Sequence, residues 1–271
     1  MNIQAGLIGE VRNPPLADVT EMVGWEPPYE QLPDGEVEVA RAIEEINRAC
    51  AEEAAGQARY VFANICPQPW ERYQFLRGTQ NALVDVLMPE LDLNDLLRWI
   101  HEFYLHELEL WCRTDVDAIR MADDWGAQRS LLIDPVLWRE LFKPLYTEYS
   151  ELAHAHGKTV FLHSDGFIQD IVPDLIDLGI DALNSQLFCM DLAELARIGR
   201  GRLTFWGEID RQSVLPDPDV GRTRAAVREV AKHLYDPAGG VIAQFEFGAG
   251  ANPEAALAVF DEWEKVERDA R

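Results

Sequence analysis

From Arg59 onward the chain alternates short apolar runs with longer stretches in which apolar residues recur every three to four positions. The short runs are Tyr60–Ile65, Ala118–Ala122, Thr159–His163, Ala182–Asn184, Leu203–Trp206 and Val241–Phe245. They are nearly continuous rather than alternating, the pattern of strands covered on both faces. The stretches between them predict helices. Asp134-Pro135 gives a cap and an N1 proline ahead of a face made by Leu137, Leu141, Leu145, Tyr149 and Leu152, and Gly157 ends it. Asp191 with Glu194 three residues later makes a capping-box-like start, and Asn252-Pro253 opens the last helix as Asp134-Pro135 opens the earlier one. Strands joined by helices in this way predict an α/β fold with a parallel sheet, a TIM-type (β/α)8 barrel. Six strands are recognisable where a closed barrel has eight, so the barrel is expected to be incomplete, with a doubly wound sheet as the alternative.

The N-terminal region follows a different pattern. Gly6 to Asp34 is rich in turn formers, including Asn13-Pro14-Pro15, Glu26-Pro27-Pro28 and Pro33-Asp34-Gly35, and predicts an arm with little regular structure. From Glu36 to about Gly56 the spacing of Val39, Ile43, Ile46 and Cys50 predicts a helix. The expected organisation is an irregular arm over 1–35 and a barrel domain over 36–271.

A chain of 271 residues suits a single domain of barrel size. Cys50, Cys66, Cys112 and Cys189 form no CxxC pair and no disulfide framework, which favours a reducing compartment. No apolar run has membrane-spanning length and no export signal opens the chain, so the expected location is cytoplasmic. The net charge of -24, spread through the helices, argues against nucleic acid as a partner. It also disfavours a polyanionic substrate unless local Arg residues or a metal reverse the field.

In parallel α/β folds reactive groups collect where strands end. Here those ends carry Asn64 and Cys66; Asp123, Asp124 and Gln128; His163, Ser164 and Asp165; Asn184 and Gln186; Glu208, Asp210 and Gln212; and Gln244 with Glu246. His163 and Asp165, two apart, project to one side and can share a divalent metal, with Glu246 or Glu208 as third ligand. The alternative is a hydrogen-bonded pair without an ion. Asp123 and Asp124 are candidates for a general acid or base, and adjacent strand residues face opposite ways, so one of them enters the site; the other reading is a helix cap. Glu208 and Asp210 have the same i, i+2 spacing, although Asp210 and Arg211 could form a simple loop ion pair. Asn64, Trp125, Gln128, Asn184, Gln186 and Gln212 are the expected contacts to a small-molecule substrate. His101, His106, His154 and His156 lie on helices, where helix-end electrostatics explain them. No G-x-G-x-x-G or P-loop is present, so no nucleotide cofactor is indicated.

Six segments carry a family resemblance: Ala122-Asp123-Asp124-Trp125-Gly126, Phe142-Lys143-Pro144, Val160-Phe161-Leu162-His163-Ser164-Asp165-Gly166, Ile171-Val172-Pro173-Asp174-Leu175, Gly179-Ile180-Asp181-Ala182-Leu183-Asn184 and Phe205-Trp206-Gly207-Glu208-Ile209-Asp210. In order, over about two-thirds of the chain, they resemble the uroporphyrinogen decarboxylase superfamily. That superfamily holds true decarboxylases and corrinoid-protein methyltransferases related to cobalamin-independent methionine synthase. The resemblance implies a TIM-type barrel with its pocket at the strand C-termini. True decarboxylases would have an Arg-rich loop gripping substrate carboxylates and an early-strand Asp, and nothing before Tyr60 matches either. The methyltransferase branch would have His-x-Cys and a later Cys holding zinc; His163 aligns, but Asp165 stands in place of the Cys and Ala249 or Glu246 near the last position. Such a His/Asp/Glu set is harder and less exclusive to zinc. The segment Gly9–Leu16 resembles one that lies further into typical members, which leaves an open barrel for a homodimer partner to seal.

The resemblance therefore implies metal-assisted methyl transfer, with zinc as the expected metal on His163, Asp165 and Glu246 and with Asp124 or Glu208 handling protons. A corrinoid is the implied methyl carrier and a corrinoid protein the implied partner. The alternatives are a cofactor-free decarboxylase of a tetrapyrrole or another carboxylated substrate, with Asp123 or Asp124 stabilising a protonated intermediate, and a barrel that binds without turnover.

Overall fold

The computed structural model describes residues 3–4, 7–8, 11–53, 59–64, 66–88, 93–248 and 250–270. Gly6, Gly9, Glu10, Gly56, Ile65 and Ala249 lie outside them. Two compact units are formed, Met1–Asp123 with Ile133–Val160, and Asp124–Leu132 with Phe161–Arg271.

The first unit opens with a short antiparallel pair, β1 (Ile3–Gln4) and β2 (Leu7–Ile8), in the arm where little regular structure was expected. Single 3-10 turns follow at Val19–Met22 and Tyr29–Gln31. Helix α1 (Gly35–Glu53) carries the predicted amphipathic pattern. Strand β3 (Phe62–Asn64), helices α2 (Pro69–Arg77), α3 (Thr79–Leu87) and α4 (Leu93–Cys112), and strand β4 (Ala118–Ala122) come next. Strands β3 and β4 are parallel, with Phe62 opposite Ala118 and Asn64 opposite Arg120. The single helix predicted after Asp134 is two, α5 (Pro135–Leu141) and α6 (Lys143–Ala155). Pro144 has no N–H to continue the ladder and its ring clashes with the preceding turn, so the chain breaks at Phe142. Helix α4 packs against α2 and α6, burying Trp70, Tyr73, Leu96, Leu108, Tyr146 and Tyr149. The arm is fastened by the buried Arg77, which pairs with Asp85 at 2.7 Å and donates to the Leu16 and Ala17 carbonyls at 2.5 and 3.1 Å.

Strand β5 (Thr159–Ser164) leads into the second unit, followed by α7 (Val172–Asp177), β6 (Ala182–Ser185), α8 (Leu192–Gly199), β7 (Thr204–Glu208), α9 (Val220–Leu234), β8 (Val241–Gln244) and α10 (Pro253–Asp269). Strands β5 to β8 pair in parallel in sequence order, and the register sets His163 beside Asn184, Asn184 beside Trp206, and Trp206 beside Ile242. The caps expected from sequence are formed: Asp134 accepts from Val136 N at 2.7 Å, Asp191 from Ala193 N at 2.8 Å, and Asn252 from Glu254 N at 3.0 Å. Among the described residues six parallel strands follow one another in chain order, each within two residues of its expected bounds. The class is α/β, a (β/α) series two strands short of a closed barrel. Among the described residues no helix is long and apolar enough to cross a membrane.

Candidate active site

The site of the second unit is built at the C-terminal end of β5. The loops after Asp124 and after Asp165 touch backbone to backbone, Gly126 N donating to Asp165 O at 3.1 Å. A Cβ on Gly126 would fall 2.5 Å from Asp165 O, and one on Gly166, itself at φ +77, would fall 2.3 Å from Gly126 O. Only glycine permits this approach, and Gly166 also needs it for its left-handed backbone. The contact is reinforced by Trp125 N donating to Ser164 Oγ at 3.0 Å and Asp165 N donating to Asp124 Oδ1 at 2.9 Å. Asp124 is thereby fixed beside the β5 terminus.

His163 is oriented from its other side. Asn184 Nδ2 donates to the Trp206 carbonyl at 2.8 Å and to Gln244 Oε1 at 2.6 Å, which identifies that atom as the amide nitrogen, since a carbonyl only accepts. Asn184 Oδ1 is therefore an acceptor, and His163 Nδ1, 2.6 Å away, donates to it. With the proton on Nδ1, Nε2 is the ring nitrogen left to offer a metal its lone pair. That lone pair lies 3.7 Å from Asp124 Oδ1 and 3.8 Å from Asp165 Oδ1, too far for hydrogen bonds. Asp165 Oδ1 is buried and has no hydrogen-bond partner among the described residues. One donor atom from each of Asp124, His163 and Asp165 falls within 4.8 Å of the others.

Asp124 Oδ1 has the Asp165 amide as donor, whereas Asp165 Oδ1 has none among the described residues, and a buried carboxylate oxygen beside a second carboxylate is unfavourable unless a cation stands between them. The set fits a divalent metal, whose N and O ligands lie at about 2.0–2.2 Å, and its hardness admits Zn2+ together with Mn2+ or Fe2+. Glu246, expected as third ligand, is placed elsewhere: it is half exposed and forms an ion pair with Arg211, and Asp124 occupies the third position of the cluster.

Arg211 is the functional residue that sequence reasoning passed over as a loop partner of Asp210. Its guanidinium donates to Asp165 Oδ2 at 2.5 Å, pairs with Glu246 and lies 3.7 Å from Glu208. It stands three positions after Glu208, a cation among strand-end residues that include several carboxylates, and that was its signal in the sequence. Asp210 caps its own turn, accepting from Gln212 N at 2.7 Å and from Ser213 N at 3.0 Å. Glu208 is 3% exposed, and burial pushes its carboxyl up to about 7 against the pull of Arg211. Burial likewise raises Asp124, with the Asp165 charge adding to it. A carboxyl titrating near neutrality is suited to proton transfer.

Beside these groups is a small cleft of about 40 Å3 whose walls include Glu208, Asp210, Arg211, Gln212, Gln128 and Gln186. Gln186 Oε1 accepts from Gly166 N at 3.2 Å and from Cys189 Sγ at 3.4 Å, and Gln128 Nε2 donates to the same sulfur at 3.7 Å. Trp125 is fully buried and belongs to the core under the loop.

Two candidates belong to the first unit. Asn64 accepts from Arg120 at 2.6 Å. Asp123 is fully buried, and its carboxylate accepts from Trp70 N at 2.9 Å, Glu71 N at 2.7 Å and the Tyr146 hydroxyl at 2.5 Å. The first two are orphan amides at the start of α2, whose own N-cap Gln68 supplies no side-chain bond, so Asp123 caps that helix from a distance. Burial pushes the Asp123 carboxyl well up, opposed by these three donors. Asp123→Ala strands all three, and the expected cost is about 3 kcal/mol, read as a lower urea midpoint with an unchanged slope.

No curated protein matches the chain in sequence. Among solved structures it is similar to a methyltransferase from Methanosarcina mazei, with TM-score 0.64 and 18% identity, over 97% of this chain and 71% of that one. A weaker likeness to a D-psicose 3-epimerase, TM-score 0.41 and 13% identity over 85% of this chain and 83% of that one, carries no argument. The model of the uroporphyrinogen decarboxylase family matches residues 10–265, nearly the whole chain, which is therefore a member of that family.

Proposed function

We propose that this family member is an enzyme of metal-assisted methyl transfer, with a divalent cation held by Asp124, His163 and Asp165. The observation that carries the reading is His163 Nε2 lying 3.7 and 3.8 Å from carboxylate oxygens of Asp124 and Asp165, the latter buried and without a hydrogen-bond partner among the described residues. When bound, the metal would act as a Lewis acid that lowers the pKa of an acceptor group, zinc and a thiol being the expected pair. Asn184 holds His163 in the binding tautomer and Arg211 holds the Asp165 carboxylate in place through Oδ2. Glu208 accepts the proton released by the acceptor, and the glutamines of the adjoining cleft orient a small-molecule substrate. A corrinoid, presented on its own protein, is the proposed methyl carrier; the Methanosarcina methyltransferase supports this reading through its fold alone.

The test is methyl transfer from methylcobalamin to small thiols, before and after treatment with EDTA. Turnover lost on chelation and restored by one divalent metal supports the proposal. Decarboxylation of carboxylated substrates, undiminished by EDTA, would replace it with the second reading, in which the raised carboxyls of Glu208 and Asp124 serve as proton donors.

Asn184 offers an independent check. Asn184→Ala removes the acceptor that fixes the His163 tautomer without removing a ligand, and metal affinity should fall about 10–100-fold. Titration with Zn2+ would show it; unchanged affinity would mean the tautomer is set otherwise.

A further inference from the structure

The first unit carries a second cleft, independent of the metal reading, between the arm and helices α2 and α4. Its volume is about 500 Å3, open to solvent, and its apolar wall includes Trp25, Leu76, Ile100 and Phe103. Ile100 is buried and Trp25 is braced against Trp99 at 6.1 Å between ring centroids, so the wall is preformed. Two of the polar groups facing it keep free hydrogen-bonding capacity. Arg72 uses Nε on the Tyr104 hydroxyl at 3.1 Å and its guanidinium lies 6.0 Å from the Phe75 ring centroid, but its two terminal nitrogens have no carboxylate partner among the described residues, in a chain with 48 Asp and Glu against 24 Lys and Arg. The side-chain amide of Gln68, one helical turn before Arg72 and on the same face, has no hydrogen-bond partner among the described residues. Glu26 and Glu107 line the same cleft and would repel a second negative charge.

We propose that this cleft binds a flat, largely apolar monocarboxylate, its anionic group on Arg72 and Gln68 and its body against Trp25, Ile100 and Phe103. An arginine terminus presents two N–H groups in the plane a carboxylate needs, and an aromatic wall rewards a planar body. The flanking glutamates exclude polycarboxylates, so the ligand class is narrow.

The experiment is calorimetric titration of the full chain with 2-naphthoate and with its neutral counterpart 2-naphthamide, at low salt. Expected are one site per chain and a preference for the acid of about tenfold, the size of a charge-assisted hydrogen bond. Arg72→Gln should erase that preference, and Phe103→Ala should weaken both compounds, each variant keeping the circular dichroism spectrum and Tm of the parent. Benzene-1,3,5-tricarboxylate should bind more weakly than 2-naphthoate. Equal binding of acid and amide, a preference that survives Arg72→Gln, tighter binding of the tricarboxylate, or no binding at millimolar concentration would each overturn the assignment.

Discussion

Replacing His163 with Ala is expected to lower turnover by more than about 100-fold, beyond what loss of a supporting hydrogen bond produces, at a stability cost of about 1 kcal/mol. His163 supplies the one nitrogen in the cluster, and its side chain is about one-fifth exposed at a strand end, so its removal leaves the core of the unit untouched. Its substitution also strands Asn184 Oδ1, which has two other bonds through its amide nitrogen to keep it in place. His163→Gln should fail equally, because an amide cannot offer both the Nδ1–H and the lone pair across the ring. Steady-state rates with a circular dichroism control check this, and full activity in either variant would remove His163 from the mechanism.

The second large effect belongs to Glu208. Burial raises its carboxyl from the ordinary 4.5 to about 7. As the proton acceptor it works as the carboxylate, so the rate should rise with pH along a limb centred near 7. Glu208→Gln should abolish that limb and lower the rate about 10^2- to 10^4-fold. The same shift has a consequence for stability with the opposite sign. Between 4.5 and about 7 the folded protein holds a proton that the unfolded chain releases, so stability falls as pH rises through that window. At pH 8 the charged, buried Glu208 costs up to about 3 kcal/mol, the attraction of Arg211 already included, and Glu208→Gln should therefore be more stable than the parent there. At pH 4, where both states are protonated, the gain should vanish. Urea denaturation at the two pH values reads it directly. A variant that is inactive yet no more stable at pH 8 would show that Glu208 is not held charged in a dry environment.

Much of this fold is legible in the sequence because the signals are local. Near-continuous apolar runs, Asp134-Pro135 and Asn252-Pro253 each act within a few residues, and the elements they predict stand within two residues of the observed bounds. The break at Phe142 was legible too, in Pro144, but the periodic leucines on either side masked it. The site is harder because its contacts are not local. His163 and Asp165 can be paired from spacing, since strand geometry sends i and i+2 the same way. Asp124 joins them only through the Gly126–Gly166 backbone contact, formed across a separation of 40 residues that no periodicity reports. Glu246 is drawn to Arg211, and a cation that can choose among Asp165, Glu208, Glu246 and Asp210 cannot be assigned from neighbours in the chain. Asp123 and Asp124, identical in the sequence reading, are separated by surroundings: one is consumed by the α2 amides and Tyr146, the other faces the His163 ring.

The most direct test of the metal site is Zn2+ titration of chelator-stripped protein, purified without a metal-binding tag, followed by elemental analysis after dialysis. We predict one bound equivalent for the parent chain and none for His163→Ala or Asp165→Asn. No retained metal in the parent, or one equivalent retained by both variants, would contradict the site.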